Sequence, residues 1–233
     1  MNGNVLYLLP VWLGEAGGPE LMPARNAEVA GRIRHFFCEH ERTARQMLRR
    51  YAPGLDLNAV TLHRLDKDST EADLDAMIAV LAHSDGAIVS EAGMPCIADP
   101  GARLVARAHA AGVRVDALTG PSSLLLALAA SGLNGQRFTF HGYLPRDPAQ
   151  RRQALRELEQ RAHREGGAQL FIETPYRNDA LLADTLGTCQ PRTRLCLAVD
   201  LDQPGGSVVT RSIAEWRAAP PTLGKRPCVF ILG

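Results

Sequence analysis

Apolar and polar positions alternate along the chain as short hydrophobic runs separated by longer segments with helical spacing. Val5–Leu9 is apolar throughout and is closed by Pro10, the pattern of a strand buried on both faces. His35–Cys38, Thr61–Arg64, Gly86–Val89 and residues 113–118 read as the next strands. Helices are predicted between them over 27–33, over Glu41–Tyr51, over 71–82 with Leu74, Ile78 and Leu81 on one face, and over 102–111, where Gly112 supplies a C-terminal cap. Residues 11–22, with Gly14, Gly17, Gly18 and Pro19, read as a loop. Strand and helix in strict alternation imply a parallel α/β sheet. The Thr119-Gly120-Pro121 turn marks a boundary, giving an N-terminal α/β domain over 1–118 and a C-terminal one over 119–233. The second half begins with a helix over 122–131, a strand over 138–141 and a long helix over 148–164 that turns Leu155, Leu158 and Ala162 inward. Strands follow over 169–173, 194–199, 207–211 and 227–232. The last three have little helix between them, so this sheet should be mixed.

Composition narrows the possibilities further. A chain of 233 residues is long enough for one large domain or two small ones. A net charge of +1, from 26 basic and 25 acidic residues, gives no global electrostatic argument for a nucleic-acid partner and leaves only local patches to carry one. Cys38, Cys96, Cys189, Cys196 and Cys228 are odd in number and include no C-x-x-C pair, so they read as reduced thiols of a cytoplasmic protein. The apolar stretch over 5–13 is too short to span a bilayer, is broken by Pro10 and lacks a basic leader, so no membrane role is expected. His35 and His40 lack helical metal-ligand spacing, and no metal is assigned. Neither a G-x-G-x-x-G nor a P-loop pattern occurs, which argues against dinucleotides and nucleoside triphosphates.

The segment SEAGMPCIADPG, from Ser90 to Gly101, concentrates the candidate chemistry. It follows the apolar run Gly86–Val89 directly and is stiffened by two prolines. In open α/β sheets ligands collect beyond the carboxyl ends of the strands, so backbone groups of Gly93, Met94 and Ile97 are placed to line a crevice; an ordinary strand-to-helix connection is the alternative. Glu39 and Glu173 each stand at the end of a predicted strand, either as general bases or as carboxylates paired with Arg42 and Arg177. His141 is a third candidate base, though a lone histidine ending an apolar strand is more often structural, and Asp99 reads as a cap for the helix that follows. Arg146, Arg151, Arg152, Arg156, Arg161 and Arg164 form a basic stretch interrupted by Glu157, Glu159 and Glu165. It suits either a phosphate-binding surface or a solvated helix face.

Several of these segments occur together in one order: SEAGMPCIADPG followed by Arg103-Leu104-Val105, TGPSSLLLALAASGL from Thr119, GYLPR from Gly142, CEHERTAR with Glu39 and Arg42, and FIETPYR with Glu173, Pro175 and Arg177. From Val5 to about Arg177 the chain resembles the tetrapyrrole-methylase superfamily of S-adenosylmethionine-dependent methyltransferases. Within it, the likeness is to the small-subunit ribosomal RNA (cytidine-2'-O)-methyltransferase I group, and more narrowly to a short branch carrying LYLLP, FHGYLP and IETPYRN. The resemblance implies two α/β domains with a cofactor cleft between them, a homodimer, and S-adenosylmethionine held by Pro10, Gly93, Met94, Pro95, Ile97, Ser122 and Ser123. It also implies 2'-O-methylation of RNA, with Glu39 or Glu173 as the base. Methylation of a small-molecule or tetrapyrrole-like substrate, and a catalytically silent cofactor-binding protein, are the competing readings. Two departures bear on the substrate. Met94 stands where relatives outside the ribosomal group often carry aspartate, and Asp200-Leu201-Asp202-Gln203-Pro204-Gly205-Gly206 replaces a segment in which that group presents glutamate, threonine and lysine.

Overall fold

The computed structural model describes residues 3–233 and forms two compact units that meet in sequence between Ser122 and Ser123. The expected boundary after Leu118 thus moves on, because Thr119, Gly120 and Pro121 are tied to the loops of the first unit. That unit alternates β1 (Val5–Leu9), α1 (Ala24–Arg32), β2 (His35–Cys38), α2 (Glu41–Tyr51), β3 (Thr61–Arg64), α3 (Glu71–Leu81), β4 (Gly86–Val89), α4 (Ala102–Ala110) and β5 (Arg114–Ala117). Its strands form one all-parallel sheet in the order β3-β2-β4-β1-β5. Consecutive strand residues face opposite sides, and each side is covered. Val5, Tyr7, Leu9, Phe36, Ala87 and Val89 pack with Val29 and Ala30 of α1 and Met47, Leu48 and Tyr51 of α2. Leu6, Phe37 and Ile88 pack with Leu74, Met77 and Leu81 of α3 and Leu104 and Ala108 of α4. This is why the strands carry unbroken apolar runs rather than alternating ones.

Local chemistry sets several boundaries. Thr70 caps α3 in a reciprocal box with Asp73. The first helix begins at Ala24, directly after Pro23, rather than at residue 27, and ends at Arg32. The segment between β1 and α1 lacks regular structure apart from a 3-10 turn at Pro19–Leu21, yet it is packed: Val11, Trp12, Leu13 and Met22 are buried. The Trp12 ring lies 5.4 Å from that of Tyr51, and the Arg50 guanidinium sits 4.5 Å over its face.

The second unit contains α5 (Ser123–Ser131), β6 (Phe138–Tyr143), α6 (Pro148–Glu165), β7 (Ala168–Ile172), α7 (Asn178–Thr188), β8 (Arg194–Val199), β9 (Ser207–Ser212), α8 (Ile213–Ala218) and β10 (Cys228–Leu232). The sheet order is β6-β7-β10-β8-β9; only β6 and β7 are parallel, and the mixed character expected of this half is present. Leu124, Ala127 and Leu128 of α5 cover one face, on Leu170, Cys196, Ala198, Val229 and Ile231. Helices α6, α7 and α8 cover the other, on Phe171, Leu195, Leu197, Phe230 and Leu232, with Phe171 and Phe230 stacked at 5.5 Å. Asp147 caps α6 by accepting from Gln150 N–H, Pro148 occupies its first turn, and Gly166 ends it at φ 64°. The helices α7 and α8 are absent from the sequence reading.

The five cysteines are unpaired. Burial raises Cys38 and Cys96 to about 11 and Cys189 to about 12, so these thiols stay protonated near neutrality. Among the described residues no helix is long and apolar enough to cross a membrane.

Candidate active site

In the first unit the chain reverses direction across the sheet at β1 and β4. From β1 it proceeds through β2 to the β3 edge, returns to β4 beside β1, and then crosses to β5 on the far side. The helices of the outward path, α1 and α2, and those of the return path, α3 and α4, lie on opposite faces. Segments leaving the carboxyl ends of β1 and β4 therefore part to opposite faces, which leaves a switch point of the kind where open α/β sheets bind ligands.

The loops at that point are bound to one another. Val11 N–H donates to Gly93 O at 2.8 Å and Gly93 N–H to Val11 O at 2.9 Å, an antiparallel bridge beyond the sheet. The Ser90 hydroxyl donates to Gly93 O at 2.7 Å. The segment after β5 joins them. A Cβ on Gly93 would lie 3.4 Å from Pro121 O, and a Cβ on Gly120 would fall 2.4 Å from Pro10 Cβ and Cγ. Only glycine at 120 lets that backbone reach Pro10. Asn26 Nδ2 donates to Thr119 O at 2.9 Å, and the buried Tyr51 hydroxyl donates to Pro10 O at 2.8 Å. Gly93 stands at φ 73°, while Cys96 at 68° and Ala98 at 60° occupy the left-handed region without being glycine. Such backbone conformations persist only where surrounding structure over-determines them, and they concentrate at functional loops.

Acidic groups gather beside this loop. Glu39, Glu91 and Asp99 line one narrow cavity together with Phe37, Val89 and Ser90. Glu39 also walls an open depression of about 600 Å³ with His40, Arg42, Arg64 and Lys67. Burial, then the charges of Glu39 and Glu91, push the Asp99 carboxyl up to about 6, near enough to neutrality for proton transfer at physiological pH. His40 Nδ1 lies 2.7 Å from Glu91 Oε1, and ligand-capable atoms of Glu39, His40 and Glu91 all lie within 4.8 Å of one another on the surface.

The chain matches the family model described as Tetrapyrrole (Corrin/Porphyrin) Methylases over residues 16–200. It is a member of the tetrapyrrole methylase family. Proteins named ribosomal RNA small subunit methyltransferase I are similar to it: that of Xylella fastidiosa is 35% identical over 181 residues, covering 78% of this chain and 62% of the relative. The Pseudomonas aeruginosa protein is 34% identical over 151 residues, covering 64% and 52%, and the Vibrio cholerae protein 28% over 211 residues, covering 91% and 69%. The chain thus spans less than two thirds of the first two relatives' lengths. Among solved structures, the methyltransferase CobJ shares the fold at TM-score 0.63 with 17% identity, covering 99% of this chain and 94% of that one. The Thermus thermophilus uroporphyrin-III-C-methyltransferase does so at TM-score 0.53 with 19% identity and the same coverages.

In this tetrapyrrole methylase the residues singled out from sequence fall in both units. Pro10, Gly93, Met94, Pro95 and Ile97 lie in the bridged loops; Pro10, Gly93 and Pro95 are buried and Ile97 is exposed. Both backbone polar groups of Gly93 are engaged by Val11. Ser122 is buried and precedes Ser123, the first residue of α5. Glu39 makes no ion pair among the described residues, so the suggested pairing with Arg42 is not formed. Glu173 does pair with Arg177, at 2.5 Å, in the second unit. His141 hydrogen-bonds Gln169 at 2.8 Å. Asp99 is not the expected helix cap: Gly101 takes that position in α4, without a side-chain hydrogen bond. The raised Asp99 carboxyl was not legible in the sequence, because its environment comes from Glu39 after β2 and Glu91 after β4, which only the fold brings to it.

The basic stretch also divides. Arg151 is buried, its guanidinium bound to Asp184 through Nε at 2.7 Å and through Nη2, and Arg152 reaches the same carboxylate at 3.1 Å. These two hold α6 to α7, Arg151 from a buried position and Arg152 from an exposed one. Glu159 is buried as well, accepting from Gln190 N–H and the Thr193 hydroxyl, and is not a surface charge. Arg146, Arg156 and Arg161 are exposed and make no ion pair among the described residues.

Proposed function

We propose that this chain is an S-adenosylmethionine-dependent methyltransferase that methylates a hydroxyl of RNA, by analogy with the ribosomal RNA methyltransferases it resembles. The observation that carries the reading is the closure of three loops on one another at the β1–β4 switch point, beside a carboxyl held near pH 6. The cofactor's sulfonium, when bound, supplies an activated methyl and its own leaving group, so the protein has only to position the reactants and accept a proton. The residues present suit it: Gly120 lets the segment after β5 close against Pro10, and Pro10, Gly93, Met94, Pro95 and Ile97, with Ser122 and Ser123, are small or uncharged residues that suit a methyl donor held by shape. Asp99 is the general base, taking the hydroxyl proton as oxygen attacks the methyl carbon. Glu39 and Glu91 set its affinity for that proton, and Glu39 opens the cavity to the depression where a substrate can approach. Arg146, Arg156 and Arg161 supply the local cationic surface that the near-neutral whole lacks.

Work in the cytoplasm as a homodimer completes the reading; exposed Leu125, Leu126 and Phe138 in the second unit support self-association, which light scattering tests. Calorimetry with S-adenosylhomocysteine should show one site per chain, and no binding at millimolar ligand would remove the cofactor assignment. Radiolabel transfer to total RNA, protein and small-molecule extract then tests the substrate. Label appearing only in the small-molecule fraction would overturn RNA while keeping the methyltransferase.

A further inference from the structure

The helical cover of the second sheet stops short at one corner. On the face that carries α6, α7 and α8, strand alternation and the pairing of Leu197 with Val209 and of Val199 with Ser207 set Leu197, Val199, Val209 and Arg211 side by side. Helix α8 is held to this face by Trp216, whose indole donates to Leu195 O at 2.8 Å. It ends after six residues, and Pro220 and Pro221 prevent its continuation. The chain then crosses to β10 as an irregular wall and leaves an open cavity of about 270 Å³, floored by Leu197, Val199 and Val209 and walled by Trp216, Pro221 and Leu223. That volume stands close to the lower bound of small-molecule sites, about 300 Å³.

The wall is built to hold its shape. Asp179, in the first turn of α7, accepts from Leu223 N–H at 2.7 Å and from Gly224 N–H at 3.1 Å, and Asn178 Nδ2 donates to Arg226 O at 2.7 Å. The Arg226 guanidinium donates through Nε to Leu223 O at 3.1 Å and through Nη2 to Thr222 O at 3.3 Å. Backbone carbonyls therefore set its position, while its one ion-pair partner among the described residues, Asp200, lies 3.7 Å away, beyond hydrogen-bond length. Arg211 lines the cavity from β9, its guanidinium 4.9 Å over the Trp216 ring. Stacking uses the flat face of a guanidinium and leaves its in-plane N–H donors free. Arg211 makes no ion pair among the described residues; the neighbouring Glu215 carboxylate is committed to the Ser212 cap, and no carboxylate lines the cavity.

We infer that this cavity binds a small organic acid, its flat hydrocarbon body against Leu197, Val199 and Val209 and its carboxylate taken by Arg211 and Arg226. An apolar floor with a few convergent polar groups is the usual make-up of a small-molecule site. The two cations decide the charge of the ligand, because the guanidinium fork matches a carboxylate and repels an ammonium. The floor decides the rest: a small hydrated anion gains nothing from it, whereas a ring system exchanges apolar surface with water there. The site lies wholly within the second unit and requires neither the cofactor nor the RNA of the reading above.

Calorimetry on the full chain tests this with 2-naphthoate, its neutral counterpart naphthalene-2-methanol, and acetate, each with and without saturating S-adenosylhomocysteine. 2-Naphthoate should bind one site per chain about tenfold or more tighter than the alcohol, which lacks the charge, and acetate, which lacks the body, should give no signal at the same concentrations. Arg211→Gln, at an exposed position, should weaken 2-naphthoate by about tenfold and leave the alcohol unchanged. Val209→Phe, which fills the floor, should weaken both. Absence of 2-naphthoate binding at millimolar ligand overturns the inference, as does equal affinity for acid and alcohol. Unchanged 2-naphthoate affinity in Arg211→Gln and Arg226→Gln, with both shown to be folded by thermal melts, also overturns it, and these variants decide the matter if Val209→Phe does not fold. Displacement of 2-naphthoate by S-adenosylhomocysteine would place the acid in the cofactor site and overturn it too.

Discussion

Replacing Asp99 by asparagine should make the protein more stable and less active, and the stability gain should depend on pH. In the folded chain burial and the charges of Glu39 and Glu91 raise this carboxyl from 3.8 to about 6. A group whose folded value is raised contributes stability that is complete below its unfolded value and is lost as pH rises through the folded one. The window here runs from about pH 4 to somewhat above pH 6. A shift of about two units corresponds to about 3 kcal/mol at 1.36 kcal/mol per unit. Asp99 is only half-buried, and solvent screening reduces this to about 1.5 kcal/mol. The substituted amide does not titrate, so thermal melts should show Asp99→Asn within error of wild type at pH 4 and higher in Tm by about 3–6 °C at pH 8. Methyl transfer to RNA should meanwhile fall by about 10²–10⁴ in kcat, the usual contribution of a positioned base. Wild-type kcat/KM should rise with pH through about 6, and Glu39→Gln should move that inflexion to lower pH by removing a neighbouring charge. A stability difference that is the same at pH 4 and pH 8 would refute the electrostatic account. A variant that transfers methyl at the wild-type rate would refute the role of Asp99 as base.

Three further outcomes follow from the loop contacts and from α6. Tyr51→Phe leaves Pro10 O without its 2.8 Å donor in a buried setting and should lower unfolding free energy by about 1–3 kcal/mol in urea titration, with S-adenosylhomocysteine affinity falling as the loop after β1 loosens. Gly93→Ala at φ 73° should lose about 1–2 kcal/mol, and β-branched Gly93→Val more, both read by thermal melts; equal stability of the valine variant and wild type would show that the bridge to Val11 tolerates a different backbone. Arg151→Glu, which puts a carboxylate at a buried position against Asp184, should destabilise by about 3–5 kcal/mol or prevent folding, whereas Arg156→Glu should leave the melt unchanged and flatten the salt dependence of RNA binding.

The sequence carried the sheet framework because burial on both faces writes itself as uninterrupted apolar runs, and the five N-terminal strands are read almost to the residue. Helix α8 was legible in principle: Ser212 and Glu215 form a reciprocal capping box, but six residues are too few to show a helical period. Helix α7 was obscured differently. It starts after a 3-10 turn with no side-chain cap, and its inward face, Leu181, Leu182, Thr185 and Leu186, includes a threonine that donates to Leu181 O within its own helix. The candidate site shows the same division between what is local and what is not. Gly93, Pro95 and the turn at Gly120 could be marked because glycine and proline constrain the backbone wherever they stand. What those loops do depends on pairing across long separations: Val11 with Gly93, Pro10 with Gly120, and Asp99 with Glu39. Arginine is ambiguous for the same reason. Arg151 and Arg156 are indistinguishable in a helical charge pattern, and only Asp184, on another helix, makes one a buried strut and leaves the other facing water. A charge can therefore be assigned to a substrate only after its partners within the fold have been found: Arg151 is spoken for by Asp184, whereas Asp99 is perturbed and unpaired with any cation among the described residues, which is why the proposed base is Asp99.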